Sequence, residues 1–238
     1  MNSEVFIHTG FDFLASVCSL MVTLLVYRWR LAGHASGLEK GGGKYVAALL
    51  LGAVFGGFGA GTANLWISGV DEIGRSIVGA FAGAVLFVEL FKKWSGLEGS
   101  TGLLFVPAFT TSVVIGRWGC FFSGLEDQTY GTASNVAWAM DFGDGVLRHP
   151  VQLYESFSML VFLIFTLVML ARRNLTFMTY GFYFLAIWYG GQRFLWEFLK
   201  PYETIIGPFN LFHFICAGLI FYGLWMIYKN QKSDRKLA

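Results

Sequence analysis

Apolar runs long enough to cross a bilayer recur along nearly the whole of this 238-residue chain, and that recurrence constrains its folding most. A spanning helix needs about 20 mainly apolar residues. Such runs fall near residues 7–28, 45–67, 74–92, 103–121, 152–171, 178–198 and 208–228. The expected fold is an all-α integral membrane protein, a single polytopic domain over residues 1–238 with seven transmembrane helices. Composition agrees, because 55% of residues are hydrophobic and only 13% charged, whereas soluble chains carry about 25% charged residues. A net charge of +2 is too small to point to nucleic acid. Cys18, Cys120 and Cys216 lie in or beside apolar runs without CxxC spacing, so neither zinc nor a disulfide framework is suggested. The opening "MNSEVFIHTG" has no basic n-region and no small-residue cleavage site. It reads as mature protein with the first apolar segment retained.

Orientation follows from the basic residues near the span ends. Arg28, Arg30, Lys40, Lys44, Lys92, Lys93, Arg172, Arg173, Lys229, Lys232, Arg235 and Lys236 collect on one side, while Arg75, Arg117, Arg148, Arg193 and Lys200 fall on the other. The richer side is expected to be cytoplasmic, with the N-terminus outside and the C-terminus inside. Seven spans satisfy that alternation; six or eight break it. The second and third runs hold "GAVFGGFGAGTA" and "GRSIVGAFAGA". Small residues spaced by three and four let helix backbones approach closely, so these two are expected to form the tightly packed centre.

Arginines on the side that usually avoids positive charge carry the functional argument. Each could snorkel to lipid phosphates or pair with a nearby acid. Arg117 and Arg193, however, stand against apolar stretches and have polar companions. "GRWGCFFSGLEDQTYG" supplies Arg117, Ser123, Glu126 and Asp127. "RHPVQLYES" supplies Arg148, His149, Gln152, Tyr154 and Glu155, with Pro150 suited to a helix start. Gln152 and Glu155 are three apart and can share a helix face. In "WYGGQRFLWEFLKP", Tyr189, Arg193 and Glu197 recur every four residues as one polar stripe. Arg193 and Glu197 could simply neutralise each other. Two guanidiniums from different helices nevertheless favour a phosphate ligand, since arginine holds two phosphate oxygens in parallel. Carboxylates beside them could hold hydroxyls or act as a base. The set reads as a phospholipid headgroup site. No His/Cys/carboxylate cluster has metal-ligand spacing, so no metal or other cofactor is expected.

"GRWGCFFSG", "RHPVQLYE" and "RFLWEF" resemble, in order and spacing, three signature segments of the prolipoprotein diacylglyceryl transferase family, G-R-x-G-N-F-x-N-G-E, R-H-P-x-Q-L-Y-E and R-F-x-x-E-F. The resemblance implies a seven-span bacterial inner-membrane enzyme with its site toward the periplasm. Such an enzyme moves diacylglyceryl from phosphatidylglycerol to a lipobox cysteine thiol of an acceptor protein and releases glycerol phosphate. By motif position, Arg117 and Arg193 would bind the donor phosphate, and Glu155, Glu197 and Tyr189 would complete the pocket. Arg148, Gln152, Tyr154, Cys120, Gly119 and Gly131 fall in the expected substrate-binding set.

Several positions depart from that pattern. Cys120 stands where the family has asparagine, "SGLED" replaces N-G-E, and Val78 in "SIVGA" stands where the family's S-F-H-G-G has histidine. "IHTGFDF" lacks the usual first-span Tyr-Gly pair. A divergent branch carries similar "SIVGG" and "GRxGCF" forms. The donor half thus resembles the family more closely than the acceptor half, and the acceptor is a lipobox thiol or a different group. His149, Glu126 and Glu155 are the candidate bases, with His149 alternatively orienting the loop before Pro150. Cys120 is either a small packing residue or, beside an arginine, a nucleophile forming a thioether. A phospholipid-binding or lipid-translocating protein that kept the headgroup pocket without catalysis is the alternative reading.

Overall fold

The computed structural model describes residues 3–33 and 37–237, with side chains at 7–33 and 39–232. Among the described residues the chain forms seven long helices: α1 (Ser3–Val26), α2 (Gly37–Ile67), α3 (Ile77–Ser95), α4 (Phe105–Phe122), α5 (Val151–Ala171), α6 (Leu175–Glu197) and α7 (Leu211–Leu237). A π turn, Tyr27–Leu31, prolongs α1. Between α4 and α5 lie a 3-10 turn, Gly124–Asp127, and a small hairpin of β1 (Met140–Asp141) and β2 (Leu147–Arg148).

Five of these helices, α1, α2, α4, α5 and α7, are long and apolar enough to cross a membrane. The other two carry charges: Glu89, Lys92 and Lys93 on α3, and Arg193 and Glu197 on α6. Burial is inverted relative to a protein in water. Phe13, Leu25, Phe55, Val161 and Phe221 are exposed, whereas Arg117, Glu155, Glu197 and Lys200 are buried. Charged residues are almost never fully buried unless paired, and large contiguous apolar surfaces mark contact with membrane or partner.

The chain groups into two compact units, each built from discontinuous segments. The first comprises the described residues of Met1–Ala32 with Leu104–Gly181 and Leu195–Pro201. Within it α4 packs on both α1 and α5. Gly119 lets α1 approach, since a Cβ there would lie 2.7 Å from Phe11 Cβ. The Ser156 hydroxyl donates to the Val114 carbonyl at 2.7 Å, tying α5 to α4.

The second unit comprises the described residues of Gly33–Leu103, Phe182–Phe194 and Tyr202–Ala238. Here α2 and α3 meet backbone to backbone, as the glycine spacing predicts. A Cβ on Gly56 would lie 2.3 Å from the Gly79 carbonyl oxygen, and one on Gly83 would lie 2.1 Å from that of Gly52. Both helices therefore present glycines at i and i+4, the small-xxx-small pattern of close helix packing. α7 packs against this pair and begins at a reciprocal cap. Asn210 Oδ1 accepts from the backbone N–H of Phe212 and His213, and His213 Nδ1 accepts from the N–H of Asn210. Lys92, counted in the sequence as a loop charge, is 4% exposed and pairs with Glu89 at 2.8 Å. Glu89 also accepts from Tyr222 at 2.8 Å. A charge near a helix end can turn inward to a partner on its own helix, which hydropathy along the chain does not register.

Candidate active site

In the first unit the end of α4, the start of α5 and the end of α6 supply a buried ionic network. Arg117 Nε lies 2.7 Å from Glu155 Oε2, and Lys200 Nζ lies 2.8 Å from Glu155 Oε1. Lys200 is also 3.6 Å from Glu197 Oε1. Two cations and two carboxylates are thus brought together, all largely or wholly withdrawn from solvent. In a low-dielectric site such charges persist only when paired with good geometry. Pro150 occupies the N-cap of α5, and Gln152 and Glu155, three residues apart, share a buried face of that helix. Gln152 is 0% exposed, yet neither atom of its amide has a hydrogen-bond partner among the described residues. An unpaired buried amide costs about 1–3 kcal/mol, and this one lies one turn from Glu155.

Beside this network His149 Nδ1 and the Tyr154 hydroxyl are 3.1 Å apart, and Trp138 Nε1 donates to that hydroxyl at 2.6 Å. His149 is thereby engaged with Tyr154 rather than projecting alone. Arg148 lies away from the buried charges. It grips Asp144 with both terminal nitrogens, at 2.6 and 2.7 Å, and covers the Tyr130 ring. Gly131 has a packing role, because a Cβ there would meet the His149 carbonyl oxygen at 2.4 Å. Glu126 is exposed, while its neighbour Asp127 turns toward α1. Asp127 Oδ1 is 3.1 Å from His8 Nε2, and its other oxygen accepts from Thr129. Burial pushes the Asp127 carboxyl up, but the bonds from His8 and Thr129 and the charge of Arg117 outweigh it, holding the group below its ordinary value. Cys120 Sγ lies 3.7 Å from both His8 Nε2 and Arg117 Nη1.

In the second unit the buried side of α6 carries Tyr189, Gln192 and Arg193. Tyr189 meets Phe81 edge to face at 5.6 Å, and the Arg193 guanidinium lies 5.9 Å from the Phe212 ring centre. Gln192, like Gln152, has a buried amide without a hydrogen-bond partner among the described residues. Val78 is fully buried and offers nothing to titrate.

Lys200 and His8 are the residues that sequence reasoning missed. Lys200 carried a faint signal, the i, i+3 spacing to Glu197 in "WEFLK". His8 carried none, because it lies 112 residues from Cys120.

The hairpin turn provides a pH test. Arg148 holds the exposed Asp144 carboxyl below its ordinary range. A depressed carboxylate contributes stability that is complete above its unfolded pKa and is lost as pH falls through the folded one. Pepsin is expected to cut the turn faster in Asp144→Asn than in the parent at about pH 5, just above the ordinary carboxylate range, the two rates converging as pH falls through the lowered Asp144 pKa. Equal rates throughout would show that the pair does not hold the turn.

Buried charges and amides inside helices whose outer faces are apolar define a multi-pass membrane protein with an embedded polar site. Residues 45–229 match the family model for prolipoprotein diacylglyceryl transferase (LGT), and the chain belongs to that family. It is 34% identical over 169 residues to the phosphatidylglycerol–prolipoprotein diacylglyceryl transferase of Finegoldia magna, covering 68% of this chain and 66% of that one. The corresponding proteins of Ehrlichia ruminantium and Lactococcus lactis are each 30% identical, over 65% and 71% of this chain and 59% and 66% of theirs. The chain therefore spans about two thirds or less of the length of these relatives. No solved structure gives a significant match.

Proposed function

We propose that the protein is a phosphatidylglycerol-dependent diacylglyceryl transferase, acting on a lipobox cysteine thiol or another acceptor from the periplasmic side of a bacterial inner membrane. The seven helices would all span, with the N-terminus outside, as the distribution of basic residues favours. The observation that carries the reading is the fully buried, unpaired Gln152 amide one turn from a carboxylate that holds two cations. That is a donor and an acceptor beside two cations whose charge two carboxylates balance, suited to a phosphate and its glycerol hydroxyls.

In the proposed step the acceptor sulfur attacks the glycerol carbon that bears the phosphate. A C–S bond forms, the C–O bond breaks, and glycerol phosphate leaves with the electron pair. Arg117, with Lys200 beside it, would meet the charge growing on the departing oxygen. Fixed cations in a dry pocket are worth most at such a point. Both oxygens of Glu155 are taken by cations, so it positions Arg117 and Lys200 rather than taking the thiol proton.

Purified protein incubated with labelled phosphatidylglycerol and a lipobox peptide should release glycerol phosphate and lipidated peptide. Arg117→Ala and Arg193→Ala are each expected to lower kcat by about 100-fold or more. Glycerol phosphate without lipidated peptide would point to a different acceptor. No release at all would favour the lipid-binding alternative, for which the buried Val78 in place of a titratable residue speaks.

A further inference from the structure

A thioether formed on Cys120 would be a dead end for transfer, since a thioether sulfur is a poor leaving group for the next acceptor. What surrounds Cys120 assigns it a different task. His8 Nε2, Cys120 Sγ and Asp127 Oδ1 all lie within 4.8 Å of one another. Two of the separations, 3.1 and 3.7 Å, are close to the ~3.3–3.7 Å that tetrahedral zinc imposes between such ligands. We propose that His8, Cys120 and Asp127 form a three-ligand site for zinc, with an open fourth position for the acceptor thiolate.

A second observation supports the site independently. The far ring nitrogen of His8, Nδ1, is 3.1 Å from Asp12 Oδ2. Zinc-bound histidines almost always carry a carboxylate or carbonyl on the other nitrogen, which fixes the ring and raises its basicity. Charge also balances. The thiolate and the Asp127 carboxylate neutralise the dication, so Arg117, already paired with Glu155, faces a neutral centre. Access is open, because the side chains of His8 and Asp127 are 23% and 13% exposed. His8 lies outside the residues that match the family model, and Cys120 stands where the family pattern has asparagine, so the site draws on positions that the common family motifs do not supply.

The role rests on the transferase reading. An acceptor R–SH binding the open position loses its proton to water at the rim. Its sulfur then attacks the glycerol carbon, and glycerol phosphate departs. The metal thereby lowers the acceptor thiol's pKa where the family's histidine is replaced by Val78.

The test is cobalt(II) titration of the full chain in detergent micelles. One cobalt per chain is expected, with a thiolate-to-metal charge-transfer band that disappears in Cys120→Ser and grows when a lipobox peptide is added. Asp12→Asn should keep the band and weaken affinity about 10–100-fold. Absence of the band, or its persistence in Cys120→Ser, would overturn the site and leave His8 as an ion-pair bridge between two carboxylates. Cobalt binding without glycerol phosphate release would sink the transferase reading and spare the metal. Transfer unaffected by a chelator that strips the metal would sink the metal's role and spare the transferase.

Discussion

Glu155→Ala is expected to lower the unfolding free energy of the micelle-bound protein by about 3–5 kcal/mol, the range for removing one partner of a buried ion pair. The loss comes less from the missing attraction than from what remains. Without Glu155, Arg117 and Lys200 remain as two buried cations that have lost the carboxylate they share, while Lys200 keeps Glu197 at 3.6 Å. Removing one charge of each sign should therefore be gentler than removing one. Glu155→Gln with Lys200→Met leaves one charge of each sign, Arg117 and Glu197. The double variant is expected to be more stable than the sum of the single losses predicts, by about 0.5–3 kcal/mol. Reversible unfolding of Glu155→Gln, Lys200→Met and the double variant measures that difference. Losses that add to within about 0.3–0.5 kcal/mol would show that the four charges do not act as one network.

The second large effect is expected at Gly83. A methyl group there would sit 2.1 Å from the Gly52 carbonyl oxygen, and backbone on both sides cannot yield as a flexible side chain does. Gly83→Ala should therefore cost at or above the top of the about 1–3 kcal/mol typical of overpacking. Gly59 is the internal control, since it lies on the exposed side of α2 with nothing within 4 Å of its added Cβ. Gly59→Ala should be neutral or stabilising by up to about 1 kcal/mol, through helix propensity alone. Equal effects at the two glycines would mean that α2 and α3 do not pack as described.

Much of the fold was legible because its signals are local. Apolar runs of spanning length place all seven helices, and their ends differ from the expected spans mainly where helices extend beyond the apolar stretch, as in α2 and α7. Glycines at i and i+4 announced the α2–α3 contact because a helix repeats its face every 3.6 residues. The buried polar residues of α4 and α5 were legible for the same reason. Gln152 and Glu155 share a face of α5, and Arg117 stands at the end of an apolar run where a charge needs a partner.

The rest depended on contacts that no period encodes. By itself the sequence determined that the chain is a helical membrane protein, that α5 and α6 each carry polar residues on one face, and that Arg117 at the end of an apolar run needs an anion. Only the tertiary structure decided that the anion is Glu155, that Lys200 shares it, that Asp127 rather than Glu126 turns inward, and that His8 meets Cys120. The physical reason is range. Helix geometry relates residues three or four apart, whereas His8 and Cys120 are neighbours only because α1 packs on α4, with Gly119 admitting Phe11 at the contact.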